Sequence, residues 1–395
     1  MRILLSHNRY QQPGGEDQSF AAEAAMLRDR GHEVIEYTAH NADVNGMTRV
    51  GLAMRAVWNP TTYSDLRRLF RRHRPQVAHF NNTFPLISPA AYYAARAEQI
   101  PVVQTLRNFR FLCANSFLFR DGRICHDCVS TTTAWPAVVH KCYRGSRPAS
   151  VAVATMLTAH RSCGTWRTAI DSYIALTQFS RQTFVDAGFP GDRIFVKPNF
   201  VYPDPGAGNG GGGYALFVGR LSAEKGLHTL LRAWRELHVD LPLKIVGDGP
   251  EAPSVQAAAS TYPGVEWLRY QCPHEVHRLL GDATLLVFPS EWYETFGRVA
   301  IEAFAKGVPV VASRLGAMAE LVDEGRTGVC FEAGNPDDLV AAIRTLVCDS
   351  SRLRAMRCAA RREYEDRYTM ERNHDQLMGI YHGAIAARER RVTKH

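Results

Sequence analysis

The stretch Leu285-Leu-Val-Phe-Pro-Ser-Glu-Trp-Tyr-Glu-Thr-Phe-Gly-Arg-Val-Ala-Ile-Glu302 runs from an apolar strand through a Gly-containing turn into a helix. Pro289 ends the strand because proline cannot donate a ladder hydrogen bond. A strand that leads into an amphipathic helix is the repeating unit of a parallel sheet covered by helices on both faces. The fold prediction for the whole chain starts from this unit.

Similar units recur in both halves of the chain. Predicted strands in the first half cover residues 2–6, 32–37, 77–80, 102–106 and 173–176, and a helix is predicted over 17–30. Predicted strands in the second half cover residues 214–218, 243–246, 265–268, 285–288 and 308–312. Each half therefore predicts a doubly wound, Rossmann-like α/β domain, assigned to residues 1–200 and 201–374.

The Pro- and Gly-rich residues 202–213 predict a flexible connector that acts as a hinge between the two domains. The Arg-rich C-terminal stretch from about residue 351 is predicted to be helical. By analogy with other two-lobed folds, its last helix, about residues 375–395, is expected to pack back on the first domain.

The composition is that of an ordinary globular protein of 395 residues, long enough for two domains. No apolar run approaches eighteen residues and no signal peptide is recognisable, which predicts a cytoplasmic protein. Residues 1–200 carry 24 Lys or Arg and 14 Asp or Glu, whereas the remaining residues carry 23 and 25. The basic first half favours an anionic partner. Nucleic acid is disfavoured because no recognition-helix or aromatic-basic motif accompanies the arginines.

Two carboxylates mark the turn and the helix of the opening stretch. Glu294 precedes the predicted helix start near Phe296 or Gly297, and Glu302 lies inside the helix. A helix N-terminus binds diphosphates, and an ionised carboxylate accepts hydrogen bonds from sugar or ribose hydroxyls. The alternative is a pair of surface glutamates near a helix start, where acidic residues are favoured electrostatically.

A second strand end carries two cations. The motif Leu216-Phe-Val-Gly-Arg-Leu-Ser-Ala-Glu-Lys-Gly226 combines a tight turn at Gly219 with Arg220 and Lys225. Two cations beside a helix start stabilise a diphosphate leaving group as its charge grows. Solvated basic residues on a loop are the simpler interpretation, but open α/β sheets bind ligands at this end of their strands.

These motifs, with Val246-Gly-Asp-Gly-Pro250 and Ala303-Phe-Ala-Lys-Gly-Val-Pro-Val-Val-Ala-Ser313, resemble glycosyltransferase family 4 over about residues 214–330. The resemblance implies the GT-B fold, in which two Rossmann-like domains face each other across a cleft. It also implies a nucleoside-diphosphate-sugar donor, retention of anomeric configuration and no obligatory catalytic metal. Carried over by motif, the roles are diphosphate binding by Arg220 and Lys225, ribose binding by Glu302, and sugar and phosphate binding by Gly219, Gly247, Glu294, Thr295, Phe296 and Gly297.

The first half resembles the family more loosely. Gly14 and Gly15 follow the first strand and allow the backbone to approach a donor phosphate, unless they form only a tight connection. The family usually carries His-Asn or His-Asp after the strand at 102–106, where this chain has Arg107. Arg107 is assigned a catalytic or acceptor-binding role because its permanent charge suits a phosphorylated acceptor or the donor phosphates. The alternative is that this replacement marks a weakened active site.

Four of the nine cysteines cluster in sequence as Cys113, Cys125, Cys128 and Cys142. Their spacing matches the ligand count of a structural zinc site, with His126 or His140 as a substitute for one thiolate. This pattern resembles a bacterial subgroup of the same family. Inert or disulfide-paired thiols are the other interpretation, and either role is structural.

An amphipathic helix over residues 64–74 places Leu66, Leu69 and Phe70 on one face among arginines. Such a helix suits peripheral contact with an anionic membrane, although a packed surface helix more often gives this pattern. The chain is thus predicted to be a cytoplasmic, retaining glycosyltransferase that acts on a glycan, lipid-linked or small-molecule acceptor in glycan assembly. The rival is a sugar-nucleotide-binding subunit without turnover. A nicotinamide dehydrogenase is disfavoured because no Gly-x-Gly-x-x-Gly follows the first strand.

Overall fold

The computed structural model describes residues 1–11, 14–237 and 241–392. Its strands, in chain order, are β1 Arg2–Arg9, β2 Glu33–His40, β3 Val77–Phe80, β4 Val102–Leu106, β5 Phe119–Arg120, β6 Arg123–Ile124, β7 Ser172–Ala175, β8 Ile194–Val196, β9 Ala215–Val218, β10 Leu243–Val246, β11 Val265–Arg269, β12 Leu285–Phe288, β13 Val310–Ser313 and β14 Gly328–Phe331.

The helices form the layers on either side of the sheets. They are α1 Gly15–Asp29, α2 Arg49–Val57, α3 Pro60–His73, α4 Ala90–Ala97, α5 Trp135–Val139, α6 Arg147–Ser162, α7 Thr165–Thr168, α8 Gln178–Asp186, α9 Leu227–Leu237, α10 Ala252–Thr261, α11 Pro273–Asp282, α12 Arg298–Ala305, α13 Gly316–Leu321, α14 Pro336–Val347, α15 Ser350–Arg367 and α16 Met370–Val392. No helix in these described ranges is both long and apolar enough to cross a membrane.

Two compact units divide the chain. Unit 1 consists of residues 1–118, 125–198 and the C-terminal part from Asn373, and unit 2 consists of residues 119–124 and 199–372. The last helix, α16, therefore begins in unit 2 and continues as part of unit 1.

Each unit contains a six-stranded sheet whose strand pairs are all parallel. The order is β2-β1-β3-β4-β7-β8 in unit 1 and β11-β10-β9-β12-β13-β14 in unit 2. All four residues of β12 and all four of β13 are buried, as expected for parallel strands covered on both faces. In both sheets the chain proceeds outward in one direction and then returns to the other side of its first strand. That reversal creates a switch point between β1 and β3 and another between β9 and β12.

A buried charge network joins the last helix to the core of unit 1. Glu23 in α1 lies 3.1 Å from His79 Nδ1 and 3.4 Å from Lys197 Nζ. Lys197 Nζ also donates to Asn373 Oδ1 at 2.8 Å, and His79 Nδ1 lies 2.8 Å from Tyr381 Oη. Asn373 and Tyr381 both belong to α16 and are fully buried. The C-terminal helix is thus held by hydrogen bonds to this buried charge network as well as by apolar packing.

The predicted flexible connector is part of unit 2 and is hydrogen-bonded within it. Residues 202–213 form no helix or strand, but the Gly208 and Gly210 amides donate to Lys306 O and Gly281 O at 2.9 Å. Arg361 binds both carboxylate oxygens of Asp204 at 2.7 and 2.8 Å. A Cβ on Gly208 would lie 2.2 Å from Gly281 O, so the glycines permit close backbone approach here. The prediction of a flexible connector was wrong because it took glycine density only as a sign of backbone flexibility, whereas these glycines allow close packing of the backbone.

The helix predicted to contact membranes uses its apolar face internally. Leu66 and Phe70 in α3 are fully buried, and Arg67 and Arg71 donate to Glu98 at 2.7 and 2.9 Å. The structure therefore matches the packed-helix interpretation of residues 64–74.

Candidate active site

Glu294 is fixed by three donors at the switch point of unit 2. Its Oε1 accepts from Lys225 Nζ at 2.6 Å, from Ser290 Oγ at 2.8 Å and from Trp292 Nε1 at 2.9 Å. The side chain is 7% exposed. A carboxylate has a second oxygen that accepts hydrogen bonds, so an oriented Glu294 is suited to bind a ligand hydroxyl.

Lys225 reaches Glu294 because two loops touch. Lys225 ends a 3-10 turn, Ala223–Lys225, after β9, whereas Glu294 follows β12. Gly226 adopts a φ of 71°, and a Cβ there would lie 1.8 Å from Pro289 O. The Lys225 ammonium also lies 5.4 Å from the Trp292 ring and 5.7 Å from the Phe288 ring. The Lys225 ammonium is thus held by a carboxylate and two aromatic rings.

Arg220, the other predicted diphosphate ligand, has a different partner. Its terminal nitrogen donates to Glu224 Oε1 at 2.8 Å and its Nε donates to Ser222 Oγ at 3.2 Å. The side chain is 53% exposed. The structure thus brings Lys225 and Glu294 into contact, while Arg220 is paired with the carboxylate of its own loop.

Gly297 caps the helix that carries Glu302. Its φ of 92° is left-handed, and a Cβ would lie 2.5 Å from Met318 Sδ. Helix α12 therefore begins at Arg298, slightly later than predicted. Glu302 is buried and accepts from Arg298 Nε at 2.8 Å, four residues earlier on the same helix. The first turn of α12 presents backbone amides and a cation near this carboxylate.

The remaining predicted residues of unit 2 are Thr295, Phe296, Gly219 and Gly247. Phe296 is buried, and its ring packs against Tyr368 at 6.2 Å. Thr295, which lies between Glu294 and Phe296, is half-buried. Gly247 adopts a φ of 141°, and a Cβ would lie 1.8 Å from Gly219 O. These glycines allow the turns after β9 and β10 to touch, which is a structural role.

In unit 1, the turn at Gly14 is closed by an acidic residue. Gly14 N donates to Asp17 Oδ2 at 2.9 Å, and Asp17 Oδ1 lies 3.1 Å from His7 Nε2. Gly15 is the first residue of α1. Residues 12 and 13 of the predicted loop lie outside the described residues. The Asp17 carboxylate thus makes one half of a capping box, and glycine at the N-cap has no side chain to make the other half.

Arg107 lines a pocket at the carboxyl ends of β3 and β4. The pocket measures about 290 Å³, including space open to solvent, and is lined by Asn81, Asn82, Thr83, Phe84, Gln104, Thr105, Leu106, Arg107, Asn108, Arg110 and Phe111. Arg107 is 6% exposed, and its Nε donates to Asn81 Oδ1 at 2.8 Å. The lining contains two arginines and no acidic residue. Such a pocket favours an anionic ligand.

Sequence reasoning missed Asn81 and Arg110. The Arg110 guanidinium lies 4.5 Å from the Phe84 ring and 5.2 Å from the Tyr143 ring, and it donates to Ala114 O. The available signal was the spacing Arg107-Asn-Phe-Arg110 directly after a strand. Asn81 directly follows β3. Because asparagine is common in turns, its presence there did not indicate a functional residue.

The predicted zinc site is not confirmed. Among the described residues, no group of three or more His, Cys, Asp or Glu side chains is placed to hold a metal ion. None of the four predicted ligands forms a disulfide, and Cys113 Sγ donates to Asn115 Oδ1 at 2.9 Å. Burial raises the pKa of Cys128 to about 11, which keeps it a protonated thiol. Cys113 and Cys142 lie close enough to Cys128 to contribute to this rise in its pKa.

Two family descriptions match nearly the whole chain. "Glycosyltransferase Family 4" matches residues 13–204, and "Glycosyl transferases group 1" matches residues 204–363. The chain belongs to the glycosyltransferases. The two matches fall largely on unit 1 and unit 2, respectively.

Curated relatives of this glycosyltransferase match it over about half of their length. D-inositol 3-phosphate glycosyltransferase 1 of Catenulispora acidiphila is 37% identical over 212 residues, 50% of this chain and 49% of the relative. Alpha-maltose-1-phosphate synthase of Mycolicibacterium smegmatis is 33% identical over 180 residues, 42% and 46% of the two chains.

Solved structures confirm the GT-B fold. HepE of Anabaena, solved with UDP-glucose, has a TM-score of 0.70 at 18% identity and covers 96% of this chain and 99% of its own. Sucrose-phosphate synthase of Thermosynechococcus elongatus has a TM-score of 0.72 at 16% identity, with 98% and 99% covered. At these identities the likeness concerns the fold.

Proposed function

We propose that this chain is a retaining glycosyltransferase that moves a sugar from a nucleoside-diphosphate sugar to a hydroxyl group of an acceptor. The observation that carries the proposal is the contact between Lys225 and Glu294 at the switch point of unit 2. Open α/β sheets bind ligands at such points. A nucleotide diphosphate bears the negative charge that Lys225 attracts, and a sugar bears the hydroxyls that Glu294 accepts.

The other residues divide the donor among them. Glu302 on α12 accepts from the ribose hydroxyls, and the backbone of Thr295 to Gly297 together with the first amides of α12 binds phosphate oxygens. Arg220 exchanges part of its contact with Glu224 for the diphosphate.

Catalysis in this proposal is electrostatic. The bond between the sugar and the diphosphate breaks, its electron pair leaves with the diphosphate, and the sugar passes through an oxocarbenium-like state. Lys225, Arg220 and the amides at the start of α12 offset the charge that develops on the leaving group. The acceptor hydroxyl attacks from the same face and its proton passes to the departing phosphate oxygen, so configuration is retained.

The pocket at Arg107 is proposed as the acceptor side. Its two arginines and the absence of acidic residues in its lining favour an acceptor that carries a phosphate or carboxylate group. Asn81 orients the Arg107 guanidinium through the contact with Nε. Under this proposal the reaction belongs to cytoplasmic glycan assembly on a glycan, lipid-linked or small-molecule acceptor.

The test begins with the donor. A thermal-shift screen against nucleoside-diphosphate sugars identifies the donor by the rise in melting temperature that a native-state ligand causes. Purified chain is then assayed for donor-dependent transfer and for slow donor hydrolysis. Turnover is expected, and Glu294→Ala is expected to abolish it nearly completely. Donor binding with neither transfer nor hydrolysis would overturn the proposal in favour of a sugar-nucleotide-binding subunit.

A further inference from the structure

The exposed apolar side chains of the chain are concentrated on one group of helices. Among the described residues, eight large apolar or aromatic side chains are exposed, and six of these lie on α2, α5 and α6 or, for Trp58, directly after α2. They are Val50, Met54, Trp58, Trp135, Val139 and Val151, with exposures of 70%, 65%, 40%, 64%, 50% and 45%. A soluble surface rarely concentrates such residues without a partner.

The spacing of these residues gives two of the helices an outward apolar stripe. Val50, Met54 and Trp58 recur every four residues, and so do Trp135 and Val139. Residues four apart lie on the same face of a helix. Leu66 and Phe70 of α3 have the same spacing but are buried in the core. The exposed stripes on α2 and α5, by contrast, are not part of the core.

The three helices form one continuous surface. Helix α6 packs against both α2 and α5. His160 Nε2 in α6 lies 2.9 Å from Val57 O at the end of α2, and Ala134 N, directly before α5, donates to Thr158 Oγ1 of α6 at 3.3 Å. The stripes of α2 and α5 thus flank the same helix.

The two sequence ranges that contain these helices are basic. Residues 44–64 and 128–170 contain seven Lys or Arg and no Asp or Glu. Arg49, Arg55, Lys141, Arg144 and Arg147 are exposed on or beside the three helices. Apolar and Trp side chains ringed by cations suit the interface of an anionic bilayer.

We infer that the surface formed by α2, α5, α6 and Trp58, here called the α2-α5-α6 surface, docks on a bilayer that contains anionic lipids. Val50, Met54 and Trp135 enter the boundary between headgroups and acyl chains, and the surrounding arginines contact lipid phosphates. The inference stands on exposure and charge within unit 1 and does not depend on the proposed transfer reaction. Such docking would bring the chain to lipid-linked acceptors.

The test is flotation of the full chain with vesicles of phosphatidylcholine alone and with vesicles of phosphatidylcholine and phosphatidylglycerol in equal amounts. Wild type is expected to float with the anionic vesicles only, and less so at high salt. Met54→Ser combined with Trp135→Ser is expected to weaken partition by about ten-fold or more, because two interfacial side chains are lost. Arg49→Gln combined with Arg55→Gln is expected to weaken it roughly ten- to thirty-fold through lost attraction to anionic lipid.

Tyr270→Ser is the matched control, since Tyr270 is 66% exposed but belongs to unit 2. It is expected to float like wild type. Melting temperature and donor binding report whether each variant is folded. Equal flotation of wild type and the Met54/Trp135 variant would overturn the inference. A second result would also overturn it: wild type does not float and instead self-associates through this surface. Sedimentation velocity of wild type and of the Met54/Trp135 variant measures that self-association.

Discussion

Lys225 Nζ lies 2.6 Å from Glu294 Oε1, although 69 positions separate the two residues in sequence. The contact joins the loops after β9 and β12, two neighbouring strands of the unit 2 sheet. It also explains the need for glycine at position 226, where any Cβ would collide with Pro289 O. Charge, backbone conformation and sheet topology therefore converge on the same pair.

Loss of either partner of this pair is expected to impair turnover as severely as loss of both. We expect Lys225→Met and Glu294→Gln each to lower kcat/KM by about 100- to 1000-fold, the range for a preorganised electrostatic contact. The kcat/KM of the double variant is expected to lie within about ten-fold of that of the less active single variant, because the effects of residues that act as a unit are not additive.

The matched control is Glu291→Gln in the same loop. Glu291 Oε1 accepts from Thr229 Oγ1 at 2.6 Å, and a glutamine oxygen preserves that bond. Its kcat/KM is expected to stay within a few-fold of wild type. Multiplicative losses in the Lys225/Glu294 double variant would show that the two residues act separately.

Gly226→Ala is expected to destabilise the chain and disturb the donor site together. The residue adopts a φ of 71° and has no room for a Cβ. A residue held in a strained backbone conformation costs on the order of 1–3 kcal/mol, and the collision with Pro289 O adds to that cost. Urea unfolding should show the loss, and donor affinity should fall in the same variant.

Gly379→Ala is the contrasting control. Gly379 lies exposed in the interior of α16, with open space around its Cα. Alanine in a helix interior is favoured over glycine by roughly 0.5–1 kcal/mol, so this variant is expected to be more stable than wild type. Equal effects of the two substitutions would contradict the steric explanation.

The strand and helix pattern was largely predictable from sequence, whereas contacts were not. Residues 77–80, 102–106, 243–246 and 285–288 were predicted as the strands that the structure contains, because they are short buried apolar runs between polar loops. Strand β14, Gly328–Phe331, was missed because its glycine and half-buried valine do not form such a run. Strand β8 was missed for a similar reason, since only one of its three residues is buried.

The site was predicted as residue types and not as geometry. Glu294 and Lys225 were both predicted from strand-end motifs, but their mutual contact depends on the strand order, which local sequence does not encode. Spacing likewise indicated four thiols near one another in the chain without indicating where each Sγ points. The outward Val50 and Met54 stripe became visible only once burial was known.

Arg107 is expected to set the preference for a charged acceptor. Arg107→Gln should raise the KM of a phosphorylated or carboxylated acceptor sugar about ten-fold or more, because one charge-assisted contact is lost. The KM of the matched neutral sugar should change little, and UDP affinity should remain within about two- to three-fold, because the proposed nucleotide-binding side chains belong to unit 2. Arg72→Gln is the control for net charge, because it removes one positive charge from an exposed position of α3.

The cysteines should react in the order of their exposure, without any effect of chelators. Cys163, Cys272, Cys348 and Cys358 are exposed, whereas Cys128 is buried with its pKa raised to about 11. A thiol reagent at pH 8 is expected to label the exposed four first and Cys128 only on unfolding, since the thiolate is the reactive form. Peptide mass spectrometry over time checks the order. Labelling of Cys113, Cys125, Cys128 and Cys142 that zinc slows and a chelator accelerates would contradict this prediction.

Glu23 is expected to be a large source of stability at neutral pH. Burial alone would raise its pKa, but the charges of His79 and Lys197 outweigh burial and hold the pKa of Glu23 well below its usual value. Glu23→Gln leaves Lys197 buried without its carboxylate, which costs about 3–5 kcal/mol for a broken buried pair. Adding Lys197→Met should recover part of that loss, because the uncompensated charge is removed.

The pH dependence gives an independent check on Glu23. A carboxyl whose pKa is depressed in the folded state stabilises the protein above its unfolded pKa, and that contribution is lost as pH falls through the folded pKa. The difference in unfolding free energy between wild type and Glu23→Gln should thus be full at pH 7 and narrow progressively below about pH 4.5. Urea titrations at several pH values measure it. A difference that stays constant from pH 7 to pH 3 would show that Glu23 acts by shape and not by charge.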